Sequence, residues 1–182
     1  MIFPIVLYGD PVLKKKAADV QQGDEKVGDF VESLFETMYA AQGVGLAAPQ
    51  VGQSLRVFVV DTSPMEDEEE EGLKQAFINP EMIEELGEEW AFEEGCLSIP
   101  GVRADVNRKP TIKIKYFDAD WNEHEQTFDG MKARVIQHEY DHIEGKLFTD
   151  YLTPFKKRLL KGKLANISKG KTDAEYRVKV PR

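Results

Sequence analysis

The segment Val135–Ile143, "VIQHEYDHI", sets His138, Glu139 and His142 between apolar flanks. On a helix, residues four apart lie one above the other, so His138 and His142 present their imidazoles to one point. Glu139 stands one step around, within reach of a water held there. Val135, Ile136 and Ile143 flank the motif and mark the helix as buried. Buried polar groups need partners, and a metal ion would satisfy several at once. That is the logic of HExxH: two nitrogens hold a metal and the carboxylate handles protons. A surface helix rich in Glu and His matches the same pattern by chance, and only the apolar flanks argue against that reading.

Two histidines do not complete a metal site. HExxH zinc peptidases take a further His or Glu downstream. No histidine follows His142. Glu144 comes only two residues later, on the wrong side of the helical turn, and Glu175 lies in a basic tail. His124 sits in a polar hairpin and is expected to be exposed. The lone cysteine, Cys96, lies in "EEGCLSIPG", a tight turn flanked by Gly and Pro. One reading makes it a small buried hydrophobe. The other makes it a thiolate that joins the two imidazoles and leaves one position open, as a catalytic metal requires.

The chain has 182 residues and is 41% hydrophobic, enough for one globular domain with a real core. No apolar run reaches the roughly 18 residues of a membrane span. The opening "MIFPIVLYGDP" lacks a basic leader and reads as a strand rather than a signal peptide. A single cysteine excludes an internal disulfide framework and suits a reducing cytoplasm. The net charge of −9 is unevenly spread. Residues 154–182 hold 10 Lys+Arg against 2 Asp+Glu, while residues 1–153 hold 14 against 31. A basic tail on an acidic body points to an anionic partner or to a solvated terminal helix.

Asp24–Gln42 carries an apolar stripe at three- and four-residue steps, with Asp24 as its cap and Gly43 as its end. Gly43–Gly52, "GVGLAAPQVG", reads as a loop and Arg56–Asp61 as a strand. Ser63–Gly72 holds six acids and reads as a mobile, solvated loop. "AFINPEM" and "EEWAFEEGCLSIPG" read as short strands broken by Pro and Gly. "TIKIKYFD" alternates cleanly and turns through "DADWN" into "EHEQTFD", a hairpin. Helix resumes near Gly130, and a last helix begins at Pro154. Strands before a late buried helix, without βαβ alternation, predict an α+β fold. In it, antiparallel strands pack around a central metal-binding helix, followed by a C-terminal helix. The ending "YRVKVPR" leaves strand and disorder open.

Three separated motifs then stand in order: Gly43-Val44-Gly45-Leu46-Ala47-Ala48-Pro49-Gln50, Glu94-Gly95-Cys96-Leu97-Ser98 and Gln137-His138-Glu139-Tyr140-Asp141-His142. Together they resemble the GxGLAAxQ, EGCLS and QHExDH motifs of the bacterial peptide deformylases. The likeness extends from "PIVLYGDPVLKKKA" to "GKLFTDYL" and fades in the acidic loop and the basic tail.

The resemblance implies removal of the formyl group from the initiator methionine of nascent polypeptides, with release of formate. A metal-activated water attacks the formyl carbon. Cys96, His138 and His142 hold the metal, and Glu139 is the general acid/base. The Gln50 side chain and the Leu97 backbone N–H stabilise the developing oxyanion. The implied metal is Fe2+, replaceable by Ni2+, Co2+ or Zn2+. Val44, Phe92, Met131 and Val135 form the methionine slot, with Gly45, Glu94 and Gly95 beside the peptide. Gly45 is expected to admit the peptide backbone, and Gly95 either does the same or serves only the turn. Arg134 is expected to line the slot with its stem while its head reaches water. Arg108 and Asp141 form a pair behind the ligands that steadies the motif helix. The implied setting is the cytoplasm, with an N-formylmethionyl peptide as substrate and no membrane association. Ribosomal contact would run through Lys156, Lys157, Arg158, Lys161 and Lys163. Residues 1–153 form the catalytic domain, and residues 154–182 belong to it or are an appendage. The alternatives are an HExxH zinc peptidase and a metal-free ribosome- or nucleic-acid-binding module.

Overall fold

The computed structural model describes residues 1–67 and 69–182; Glu68, inside the acidic run, lies outside the described residues. In chain order the elements are β1 (Ile5–Val6), α1 (Val27–Ala40), β2 (Gly45–Ala47), β3 (Val57–Asp61), β4 (Lys74–Leu86), β5 (Trp90–Cys96), β6 (Ile99–Arg108), β7 (Thr111–Phe117), β8 (Glu123–Asp129), α2 (Gly130–Ile143), α3 (Pro154–Ser168) and β9 (Val178–Lys179). Five strands form an antiparallel sheet in the order β2-β3-β4-β7-β8. β5 and β6 form a separate antiparallel hairpin, and β1 and β9 a short parallel ribbon.

The alternation of side chains along a strand divides the core in two. Val57 and Val59 of β3 point to one face, where Val31, Leu34 and Met38 of α1 cover them. Phe58 and Val60 point to the other, with Ile112, Ile114 and Tyr116 of β7, and there α2 supplies Ala133, Ile136 and Ile143. The "TIKIKYF" alternation is therefore real: its apolar residues are those that meet the motif helix. A third cluster joins β6 to the chain ends through Val6, Leu7, Val102, Val106, Leu164 and Ile167. The motif helix thus has the sheet on one side and the β5–β6 hairpin on the other.

Several elements differ from expectation for local reasons. α1 starts at Val27, and Asp24 instead holds the preceding turn by accepting from the Lys26 N–H at 2.9 Å. The helix ends at Ala40, two residues short of the expected Gln42, and Gln42 itself takes the left-handed conformation (φ 57°) in place of Gly43. Gly43–Gly52 is not all loop: β2 pairs with β3, and Ala48–Val51 form a 3-10 turn. β4 continues through Pro80, where a register shift between Ile78 and Glu81 removes the demand for a ladder N–H. Asn79, at φ 48°, secures this bulge by bonding both the N–H and the carbonyl of Val20 at 2.8 Å. Glu66, in the acidic run, is not freely solvated, since Thr62 Oγ1 donates to it at 3.1 Å and Lys132 lies 3.6 Å away.

α3 begins as expected. Pro154 lies in its first turn, and Thr153 Oγ1 accepts from the Lys156 N–H at 3.2 Å. The "YRVKVPR" ending contains a strand, with Ile5 opposite Val178 and Val6 opposite Lys179.

Candidate metal centre and active-site groove

α2 supplies His138 and His142, and the last residue of β5 supplies Cys96. Their ligand atoms all lie within 4.8 Å of one another. Cys96 Sγ is 3.5 Å from His142 Nε2. The thiol reaches this point because the hairpin reverses immediately after it: Cys96 pairs with Ile99 across the two-residue turn Leu97–Ser98. The other candidates are engaged elsewhere. His124 Nε2 is 2.8 Å from Asp118, and Glu144 accepts from Arg56 at 2.7 Å.

One soft sulfur and two borderline nitrogens are a donor set for a first-row divalent metal. Burial pushes the pKa of His142 well below its ordinary value, which keeps that imidazole neutral as a ligand must be. At His138 burial is outweighed by the bonds to Cys96 and Glu94, which push its pKa well above the ordinary value, so a metal must displace a proton there. Glu139 Oε2 is buried and has no hydrogen-bond partner among the described residues. Burial raises the Glu139 carboxyl to about 7. The residues present fit a catalytic metal with a proton carrier beside it.

Glu94 organises what lies behind the ligands. It is buried, and both of its oxygens are taken. Arg108 donates to it twice, at 2.7 and 3.0 Å, and Arg134 once, at 2.7 Å; His138 Nδ1 lies 2.9 Å away. With its Nδ1–H turned to Glu94, His138 keeps the Nε2 lone pair for a metal. Burial alone would raise the Glu94 pKa, but the bonds to His138 and Arg108 outweigh it and hold the carboxyl down to about 2. Arg108 also donates to Asp141 at 2.8 Å, so the expected Arg108–Asp141 contact exists, within a larger network. Glu94 was expected beside the peptide. It lines the groove, and its carboxylate serves His138 and the two arginines.

Arg134 departs further from expectation. Its head does not reach water: it is buried, donates to the carbonyls of Val106 (2.8 Å) and Trp90 (2.6 Å), and stacks 4.3 Å over the Trp90 ring.

Beside the ligands, Ala47 N–H donates to Gln50 Oε1 at 3.0 Å, which fixes the amide and turns Nε2 towards Cys96 Sγ (3.5 Å) and Ser98 Oγ (3.2 Å). Two glycines are required by close approach. A Cβ at Gly43 would lie 2.8 Å from Leu97 Cδ1, and one at Gly45 would lie 2.5 Å from Glu139 Oε1. Gly45 therefore makes room for Glu139, a need that expecting it only to admit peptide backbone had missed. At Gly95 the nearest atom to an added Cβ is the flexible end of Arg103.

A groove of about 780 Å³ opens over these groups. Val44, Gly45, Phe92, Glu94, Gly95, Met131 and Val135 all line it, with Gln50, Cys96, Leu97, His138 and Glu139. Sequence reasoning missed the roles of Ser98, Arg134 and Tyr176. Ser98 stood inside a quoted motif, and Arg134 stood one turn before His138. Tyr176 carried no signal.

Comparison with known proteins decides the family. Residues 2–158 match the polypeptide deformylase family. The chain belongs to that family. A peptide deformylase of Cytophaga hutchinsonii is 62% identical over 181 residues, covering all of this chain and 98% of the relative. One from Christiangramia forsetii is 56% identical, covering all of this chain and 97% of the relative. Among solved structures, the Legionella pneumophila peptide deformylase is 40% identical with a TM-score of 0.82, covering 93% of this chain and 96% of its own. Like those deformylases, the chain combines helices with antiparallel sheet, and it carries a C-terminal helix. It is a hydrolase that removes the formyl group from nascent peptides, and nothing supports the zinc peptidase alternative.

Replacing Arg108 tests the deformylase network. Arg108→Ala leaves the Glu94 and Asp141 carboxylates short of a buried counter-charge, a loss of about 3–5 kcal/mol in urea unfolding, and lowers metal affinity roughly 10- to 100-fold. The sign with pH follows from Glu94. Its pKa of about 2 lies below the ordinary 4.5, so its contribution is intact above pH 4.5 and is lost as pH falls towards 2. Without Arg108 that acid loss moves to higher pH. Unchanged stability and metal content would refute the network's role.

Proposed function

We propose that Cys96, His138 and His142 hold ferrous iron in this deformylase and that Glu139 carries its protons. The carrying observation is the convergence of one thiol and two imidazoles beside a buried, unpartnered carboxylate oxygen. The donor set suits several first-row metals. Iron comes from the family resemblance, with nickel, cobalt or zinc as replacements. When bound, the metal makes a water nucleophilic near neutral pH. Glu139 takes the proton which that water gives up and passes it to the leaving amine. A carboxyl held near 7 is matched to both transfers. As negative charge grows on the formyl oxygen, the preset Gln50 amide and the Leu97 backbone N–H are its donors. The methionine side chain enters between Val44, Phe92, Met131 and Val135, while the Arg134–Trp90 stack stiffens the outer wall. Gly45 and Gly95 flank the peptide.

The reading is tested by anaerobic assay of formate release from formyl-Met-Ala-Ser. Wild type releases formate, and Glu139→Ala lowers kcat by roughly 10²- to 10⁴-fold with its metal retained. No formate from fully metallated wild type would sink the reading.

We also propose a cytoplasmic setting in which the basic face of α3 meets ribosomal RNA. Among the described residues no helix is long and apolar enough to cross a membrane. Lys156, Lys157, Arg158 and Lys161 are exposed beside the equally exposed Phe155 and Leu159. Lys163 is tied to the Gly101 carbonyl at 2.5 Å and leaves this set. Removing α3 would also remove Leu164 and Ile167 from the core, so charge reversal is the cleaner probe. Reversing Lys156, Lys157 and Arg158 together weakens co-sedimentation with ribosomes and flattens its salt dependence by about one unit of slope per lost phosphate contact. Turnover of free peptide is unaffected. Unchanged co-sedimentation would leave α3 a solvated surface.

A further inference from the structure

The family match ends at residue 158, yet the chain beyond it returns to the groove. Lys171, Asp173, Ala174 and Tyr176 all line the cavity, on the side facing the Leu97–Ser98 turn. This return is anchored at both ends. Leu164 and Ile167 are buried in the core, and β9 pairs with β1. The ribbon is reinforced where Ile5 N–H donates to the Arg177 carbonyl (2.9 Å) and Leu7 N–H to the Lys179 carbonyl (3.1 Å).

The two strands of this ribbon grip one turn. From the β1 side, Tyr8 N–H donates to the Ser98 carbonyl at 2.8 Å. From the β9 side, the half-buried Tyr176 hydroxyl donates to the Leu97 carbonyl at 2.7 Å. The Leu97 side chain is confined separately, with its Cδ1 against Gly43. Leu97 is thus held at both its carbonyl and its side chain, and its N–H belongs to the peptide that follows Cys96.

We infer that Tyr176 is a positioning residue for deformylation: through its bond to the Leu97 carbonyl it holds the Cys96–Ser98 turn, and with it the Leu97 N–H, in register with the reacting formyl group. The inference rests on Leu97 N–H being an oxyanion donor. Among the described residues the Tyr176 hydroxyl bonds the Leu97 carbonyl and makes no hydrogen bond to the metal ligands or Glu139. Its effect therefore falls on transition-state stabilisation, more than on substrate affinity or metal retention. The C-terminal segment is on this account a working wall of the site.

The test compares metallated full-length wild type, Tyr176→Phe and Tyr176→Ala. Tyr176→Phe keeps the ring and removes only the hydroxyl. It is expected to lower kcat for formyl-Met-Ala-Ser about 3- to 10-fold, with KM, metal content and thermal midpoint unchanged. Hydrogen–deuterium exchange in a peptide spanning Cys96–Ile99 should speed up by a similar factor. Tyr176→Ala should lower kcat at least as far. An unchanged kcat in Tyr176→Phe, or a fall matched by loss of metal or thermal stability, overturns the inference. If wild type releases no formate the functional reading fails instead, and the exchange rates still decide whether Tyr176 holds the turn.

Discussion

The Glu94 carboxylate is the interaction on which the rest of the site depends. It ties the β5–β6 hairpin, whose strands carry Cys96 and Arg108, to the α2 helix, which carries Arg134 and His138. A carboxylate buried to this degree would be costly alone. Two guanidiniums and an imidazole offset that cost, and they do so only in one arrangement of hairpin and helix. The network therefore adds less to net stability than to uniqueness of geometry. It sets the distance between the thiol at the hairpin tip and the imidazoles on the helix.

The sheet supplies the other half of this constraint. Its two apolar faces separate tasks: α1 covers one and has no part in the chemistry, while α2 covers the other and must carry buried polar groups. Phe58, Phe77 and Tyr116 fill the space beneath α2, with the Phe58 and Phe77 rings 4.8 Å apart. Packing of this density leaves little freedom for the helix to slide. Gly45 records the result on the opposite side, since even one methyl there would collide with Glu139. Rigid support on both sides is what a preorganised hydrolytic site needs.

How legible this was varies with the range of the contacts. The α1 stripe and the "TIKIKYF" alternation are local patterns, and both fold as read. The residues alone left Cys96 open between a small buried hydrophobe and a ligand; its place beside the two histidines came from the resemblance carried by the three ordered motifs. Glu94 was placed beside the peptide, and it does line the groove, but its bonds to His138 and the two arginines were not legible in the sequence. Its burial is decided by arginines 14 and 40 residues away. Arg134 failed for the same reason in reverse: a cation beside an apolar slot is expected to reach for water unless a buried acid is known to be there. The end of α1 was placed two residues too late, because Gln42 takes the left-handed turn that Gly43 was expected to supply. The role of the tail rests on a pairing between residues 5 and 178, which no window of sequence reveals.

The central claim is that the third metal ligand is the hairpin thiolate and that no carboxylate or third histidine takes its place. X-ray absorption at the metal edge of anaerobically purified protein tests it most directly. The account predicts a first shell with one sulfur at thiolate distance and two imidazole nitrogens, the sulfur disappearing in Cys96→Ser. A shell built only from nitrogen and oxygen in the wild type would contradict it.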